Sequence, residues 1–172
     1  NVVVDPKVPV RADLTVATLW KISNVGALIS TYTAEPLSAL LVNSIAVNAK
    51  GITLGGVRAT DTGNSGVIIS GDLEGKFSKP IFLGLSDTSI DVVVLGADSS
   101  VYAIGNSTET LAGKKVAGYR DGITAKYSST GKLSALVRSS AAKARREWLS
   151  ATNSLFLTGP VQTGQKFESA LT

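Results

Sequence analysis

The sequence predicts a mainly β fold: an antiparallel sheet or sandwich of short strands with one amphipathic C-terminal helix. Three observations support this: alternating apolar and polar residues, turn sequences between these runs, and one late segment with apolar residues at helical spacing. The 172 residues are enough for one domain with a hydrophobic core. We therefore expect a single domain that is strand-rich over 1–127, helical over about 132–151 and polar over the C-terminal tail, 159–172.

Alternation with a period of two is clearest over Leu14–Ile22. The even positions there carry the large apolar side chains, with Trp20 the largest, so we predict a strand with one side buried. The alternation recurs at Ile45, Val47 and Ala49, and Ile52 and Leu54 follow across Gly51. Short runs of β-branched or aromatic residues predict further strands at 67–69, 81–85, 90–95 and 101–104. Short strands separated by turns at this spacing favour an antiparallel sandwich, barrel or extended sheet.

A hairpin is predicted over Val116–Tyr127. Asp121 and Gly122 stand between two strand-like runs. This pair favours a type I′ turn, because Gly122 tolerates a positive φ and Asp121 tolerates it better than most residues. The polar stretch 161–172 fits either an edge strand or a loose tail.

The segment from Lys132 to about Ala151 breaks the period-two pattern. It contains no Gly or Pro, and its apolar residues recur at the spacing of one helical face. We predict a helix whose apolar stripe packs on a sheet or on a partner subunit. The predicted interface residues are Leu133, Leu136, Val137 and Trp148.

The net charge of +4 is unevenly distributed along the chain. Five basic residues and one acid lie between Lys132 and Glu147, whereas 61–100 carries six acids and two lysines. The pattern fits either two ordinary solvated faces or a helix that faces nucleic acid through phosphate contacts. In the second case the candidate binding residues are Lys132, Arg138, Lys143, Arg145 and Arg146, extended by Lys114, Lys115, Arg120 and Lys126 on the preceding hairpin.

The residue types that are absent restrict the chemistry. The chain has no Cys, Met or His, which removes disulfides, thiolate nucleophiles, imidazole bases and the common zinc or copper sites. Ser140 and Lys143 match the S-x-x-K pattern of β-lactamases and penicillin-binding proteins, but the Ser-Asp-Asn and Lys-Thr-Gly partners of that pattern are missing. We therefore expect no enzymatic activity, no cofactor and no metal.

The order of the predicted elements over 67–151 resembles the coat proteins of single-stranded RNA phages. Short antiparallel strands, a hairpin ending at Tyr127 and one later helix carry this resemblance. In that family an antiparallel sheet is followed by helices that clasp a partner subunit, and the dimers build an icosahedral shell whose sheet face binds RNA. The resemblance implies a homo-oligomer, dimeric or larger, located in the virion.

We therefore expect a self-assembling coat subunit that packages nucleic acid, through edge strands and the predicted helix. Two alternatives stay open. A secreted bacterial fimbrial or adhesin subunit at the cell surface fits the Ser, Thr, Gly and Val content, and Asn1 in place of Met fits removal of a signal. A phage tail-tube or decoration protein would share the β-rich composition. No apolar run approaches the length that spans a bilayer, so we expect no membrane partner.

Overall fold

A computed structural model describes residues 14–139 and 143–172. Within these ranges the chain forms strands and turns but no helix, and the named strands pair antiparallel, which confirms the mainly antiparallel β prediction. The strands are β1 (Thr18–Ile22), β2 (Leu28–Thr33), β3 (Leu40–Asn48), β4 (Gly51–Thr60), β5 (Gly63–Gly71), β6 (Ile81–Leu83), β7 (Thr88–Leu95), β8 (Val101–Ser107), β9 (Asp121–Tyr127), β10 (Leu133–Ser139), β11 (Ala144–Arg146), β12 (Ser150–Ala151), β13 (Leu157–Thr163) and β14 (Lys166–Leu171).

These strands form layers. A first sheet has the order β3-β4-β5-β6, and a second has the order β10-β9-β8-β7. In the third sheet β13 pairs with β11, β12 and β14, while β1 and β2 form a separate hairpin. None of the described residues belongs to a helix long and apolar enough to cross a membrane.

The first and second sheets pack face to face to form the main core. Ile68 and Leu83 of the first sheet meet Ile90, Val93 and Ile123 of the second sheet. The close approach of β7 requires glycine opposite it: a Cβ at Gly55 would lie 2.5 Å from the Val93 Cγ1 atom. The sheets are thus fixed at a distance that a larger residue at this position would increase.

Each sheet also has an outer face that another part of the chain covers. On the first sheet, Ile52, Leu54, Val67 and Ile69 pack with Leu40 of the same sheet and are covered by Ala17, Leu19 and Ala34. On the second sheet, Val94 and Ile104 pack against Trp148 and Leu157 of the C-terminal region. The β1–β2 hairpin therefore lies at one end of the stack of layers, and the C-terminal sheet lies at the other.

The helix predicted over about 132–151 is wrong, because the described part of this segment forms β10, β11 and β12. A β-bulge between Leu133 and Ala135 explains the misleading spacing. The bulge puts Leu133 and Leu136, three residues apart, on the same side of β10, opposite Tyr127 and Ala125. A bulged strand thereby reproduces the i, i+3 spacing of a helix.

The turn predicted at Asp121-Gly122 is also wrong, because both residues begin β9. The buried Asp121 carboxylate accepts hydrogen bonds from the amides of Ala117 and Gly118, at 3.0 and 3.1 Å. Gly122 lies beneath the Trp148 indole, where an added Cβ would stand 2.4 Å from the ring. Close packing, not a positive φ, accounts for this glycine. The polar C-terminal residues form the β13–β14 hairpin, with β14 as an exposed edge strand.

Candidate assembly surface

The alternation over Leu14–Ile22 is present, but its large apolar side chains face outward. Ala17 is buried and Leu19 packs against the core, whereas Trp20 is 60% exposed and Ile22 is similarly open. In the β1–β2 register Ile22 lies opposite Leu28, which is also exposed. We call this set the outer apolar face; its residues are Leu14, Val16, Trp20, Ile22 and Leu28.

This arrangement corrects the prediction that the even positions are buried. The chain before β1 runs antiparallel to the segment before β3: the Ala34 amide donates to the Ala17 carbonyl at 3.0 Å, and the Leu37 amide donates to the Thr15 carbonyl at 2.7 Å. The small side chain of Ala17 turns inward and fits against the first sheet. The alternation alone indicates that one side is apolar, but not which side the rest of the chain covers.

Strand β3 is an edge strand with exposed apolar residues. Among the described strands it pairs only with β4. Ile45 and Val47 lie opposite Leu54 and Ile52, on the side that carries those core residues, yet Val47 is 59% exposed. Between Leu40 and Asn48 the strand has no charged residue and no proline, the usual features that prevent edge strands from pairing with other chains.

The predicted interface residues are in different environments. Trp148 and Leu136 are buried in the core, and Leu133 is partly buried against it. The Trp148 amide donates to the Asn106 side-chain oxygen at 2.7 Å, which fixes this segment on β8. Of the four residues, Val137 on β10 is the exposed one, at 60%.

Arg138, a predicted phosphate contact, lies inside the protein. Its Nε donates to the Asp121 carboxylate at 2.8 Å, and its terminal nitrogens donate to the carbonyls of Glu109 and Ser107 at 2.8 and 3.1 Å. The side chains of Arg138 and Asp121 are 6% and 0% exposed. This guanidinium is surrounded by protein acceptors.

Two further predicted contacts form ion pairs with the acidic middle of the chain. Arg120 binds Asp87 at 2.6 Å and lies 3.6 Å from Glu147. Lys126 lies 3.7 Å from Asp98 and 5.2 Å from the centre of the Tyr102 ring. The uneven charge along the sequence is therefore partly neutralised by pairing in the fold.

Lys114 and Arg146 also contact the protein. The Lys114 ammonium donates to the Leu136 carbonyl at 2.7 Å. Arg146 donates to the Ser139 hydroxyl at 2.9 Å, and its guanidinium carbon lies 5.9 Å from the Trp148 ring centre. Both side chains therefore form hydrogen bonds within the chain, and Arg146 also lies near an aromatic ring.

Besides Lys114, the exposed members of the predicted set are Lys115, Lys132, Lys143 and Arg145. Lys132 precedes β10, whereas Lys143 and Arg145 follow it, and the seven residues of β10 span about 20 Å. These cations therefore do not form the helical stripe that the sequence predicted.

The described ranges contain no cluster of three or more Asp, Glu, His or Cys side chains that would hold a metal ion. Ser140 lies outside the described residues, so the S-x-x-K pair is not placed. The sequence matches no protein-family model, and no curated protein is significantly similar to it.

Proposed function

We propose that this protein is a structural subunit that assembles with copies of itself, and that a second copy covers the outer apolar face and the free edge of β3. The exposure of Trp20 and Ile22, on a strand whose pattern is that of a half-buried strand, is the observation that carries the proposal. Contiguous exposed apolar surface marks interaction sites, and burying one large apolar side chain stabilises a contact by about 1.5–3 kcal/mol.

The edge of β3 adds a second kind of contact, in which backbone hydrogen bonds fix the direction of the neighbouring strand. An unpaired strand edge offers backbone donors and acceptors to a strand of another chain. The two surfaces meet where the chain enters β3, since the Leu40 amide donates to the Leu14 carbonyl at 2.5 Å. A neighbouring copy that added a strand to β3 would also approach the outer apolar face.

Among the assemblies predicted from the sequence, a fimbrial-type surface subunit is the one that we favour. It needs self-association but no nucleic acid, and Arg138, Arg120, Lys126 and Lys114 are bonded within the chain. A phage tail-tube or decoration subunit would use the same contacts and differs in the shape of the assembly.

An RNA-packaging coat subunit is the second candidate function, and the exposed Lys132, Lys143 and Arg145 favour it. Phosphate contacts supply the sequence-independent, salt-sensitive part of nucleic-acid binding. A coat subunit would form particles that contain nuclease-protected RNA. The triple variant Lys132→Ala, Lys143→Ala, Arg145→Ala would lower their RNA content, whereas an unchanged RNA content would exclude these residues as genome contacts.

Light scattering after size-exclusion chromatography tests self-assembly. We expect the wild-type chain to form particles larger than its 17.7 kDa monomer in a concentration-dependent manner. Val47→Lys combined with Ile22→Lys would give monomers with an unchanged β-type circular dichroism spectrum. Val137→Lys is the matched control, because Val137 is also on an edge strand and is equally exposed. A wild-type chain that stays monomeric at every concentration would contradict the proposal.

A further inference from the structure

A cavity of about 390 Å³ lies at one end of the two packed sheets. It is bounded by the turn between β3 and β4, the end of β5, the turn between β7 and β8, and the turn after β9. Its volume is within the range of small-molecule sites. The cavity is separate from the outer apolar face; of its lining residues only Asn48, the last residue of β3, belongs to the proposed assembly surface.

Hydroxyl groups form much of the cavity lining. Thr53 is almost fully buried, and its hydroxyl lies 2.9 Å from that of Ser70. Such groups both donate and accept hydrogen bonds, which suits a ligand that itself carries several hydroxyls. The lining hydroxyl residues besides Tyr127 are Thr53, Ser70, Ser78, Ser99, Ser128, Ser129 and Thr130.

Tyr127 adds a phenol hydroxyl to the lining. The residue as a whole is 3% exposed, and it lines the cavity at the end of β9. Burial raises its pKa to about 12, so the group stays protonated and can donate. A ligand in the cavity would offer this hydroxyl an acceptor.

The charges at the cavity have one sign. Lys50 and Lys79 line it, whereas no Asp or Glu does. The Lys50 ammonium is held by the Ala97 carbonyl at 2.9 Å, and Lys79 is exposed. Ile52, Ile81 and Val101 supply apolar surface beside these polar groups. The lining therefore combines cations, hydroxyls and an apolar wall.

We propose that this cavity binds a monosaccharide unit that carries a carboxylate. The hydroxyl residues and Tyr127 would bind the sugar hydroxyls, the apolar wall would contact the C–H face of the ring, and Lys79 would pair with the carboxylate. A fully apolar ligand would make no use of the lining hydroxyls or of Lys79, and no carboxylate in the lining would bind a cation.

Saturation-transfer NMR titrations with glucuronic acid and with glucose test this on the full chain. We expect glucuronic acid to bind the wild type about tenfold more tightly than glucose, through the ion pair with Lys79. Lys79→Gln would abolish that preference and leave glucose binding unchanged. Tyr127→Phe would weaken both sugars about threefold or more, with its melting temperature as a check on folding.

Lys166→Gln is the control, because Lys166 lies on β14 and does not line the cavity. Equal binding of the two sugars by the wild type would overturn the assigned carboxylate contact. Binding of neither sugar up to about 10 mM would overturn the site as a whole, as would a Lys166→Gln effect as large as that of Lys79→Gln. These outcomes do not depend on whether the protein assembles.

Discussion

The Nε atom of Arg138 lies 2.8 Å from the Asp121 carboxylate, and both side chains are enclosed between β9, β10 and the loop before β9. The same carboxylate accepts the amides of Ala117 and Gly118, so one buried acid fixes both a strand and a loop. This ion pair links sequence regions that local patterns treat separately. It also leaves the Arg138 side chain only 6% exposed.

Replacing Asp121 with Asn should strongly destabilise the protein. The substitution leaves the Arg138 charge buried without its counter-charge, a change that costs about 3–5 kcal/mol in comparable cases. Urea denaturation followed by circular dichroism measures the loss. Arg145→Ala is the control, since an exposed cation should change the free energy of unfolding by no more than about 0.5 kcal/mol. A loss below about 1 kcal/mol for Asp121→Asn would show that the pair is dispensable.

Glu109 should make stability depend on acidic pH. Burial alone would raise the pKa of its carboxyl, but hydrogen bonds from the Thr88 hydroxyl and from the amides of Leu85 and Ser86 outweigh burial and lower the pKa from 4.5 to about 2. A depressed folded-state pKa stabilises the fold above the unfolded-state value, and that contribution is lost as pH falls from about 4.5 towards 2.

Glu109→Gln tests this contribution. We expect the variant to be less stable than the wild type by about 1–2 kcal/mol at pH 7, since Gln keeps one acceptor oxygen and solvent screens part of the charge. The difference should shrink when urea denaturation is repeated at pH 3. A difference of the same size at both pH values would mean that ionisation of Glu109 does not contribute.

Gly122→Ala should disturb the packing of Trp148. The added methyl would stand 2.4 Å from the indole, which is fully buried against Val94, Ile104 and Leu157. Overpacking of this kind costs about 1–3 kcal/mol. In a Trp20→Phe background, Trp148 is the sole tryptophan, and its emission should shift to longer wavelength. Unchanged emission and stability would show that the indole can move aside at no cost.

Trp20 should report assembly directly. Its indole is 60% exposed in a single chain, so its emission is that of a solvated tryptophan. If a second copy covers the outer apolar face, the emission should shift to shorter wavelength as concentration rises, and Trp20→Phe should remove the shift. A shift that survives in Trp20→Phe would come from Trp148 and would not support the proposed interface.

The sequence predicts the positions of the strands better than it predicts which of their side chains are buried. Runs such as 67–69 and 90–95 are predicted as strands because β-branched residues and flanking turns are local features, and they form β5 and β7. The outward orientation of Trp20 is not a local feature. It depends on Ala17 and Leu19 packing on the first sheet, which the alternation does not encode.

The helix predicted to carry the basic residues is wrong for a related reason. The bulge at Leu133 imitates helical spacing, and the partner that holds Arg138 in a strand is Asp121, which is brought alongside only when β9 and β10 pair. A weak signal for the β3 edge is present in the sequence, since 40–48 is apolar on both sides of Asn43 and lacks charge and proline. Such a run is also typical of a strand buried on both faces.

Hydrogen–deuterium exchange compared between dispersed and assembled protein would show whether β3 and the outer apolar face form the interface between copies. The edge of β3 has no strand partner among the described residues, so its outward amides should exchange rapidly in dispersed chains. We expect peptides covering 41–48 and 18–28 to become protected on assembly, while peptides covering β10 stay unchanged. Protection confined to β10 or β14, with 41–48 still exchanging rapidly in the assembled protein, would rule out β3 as the interface.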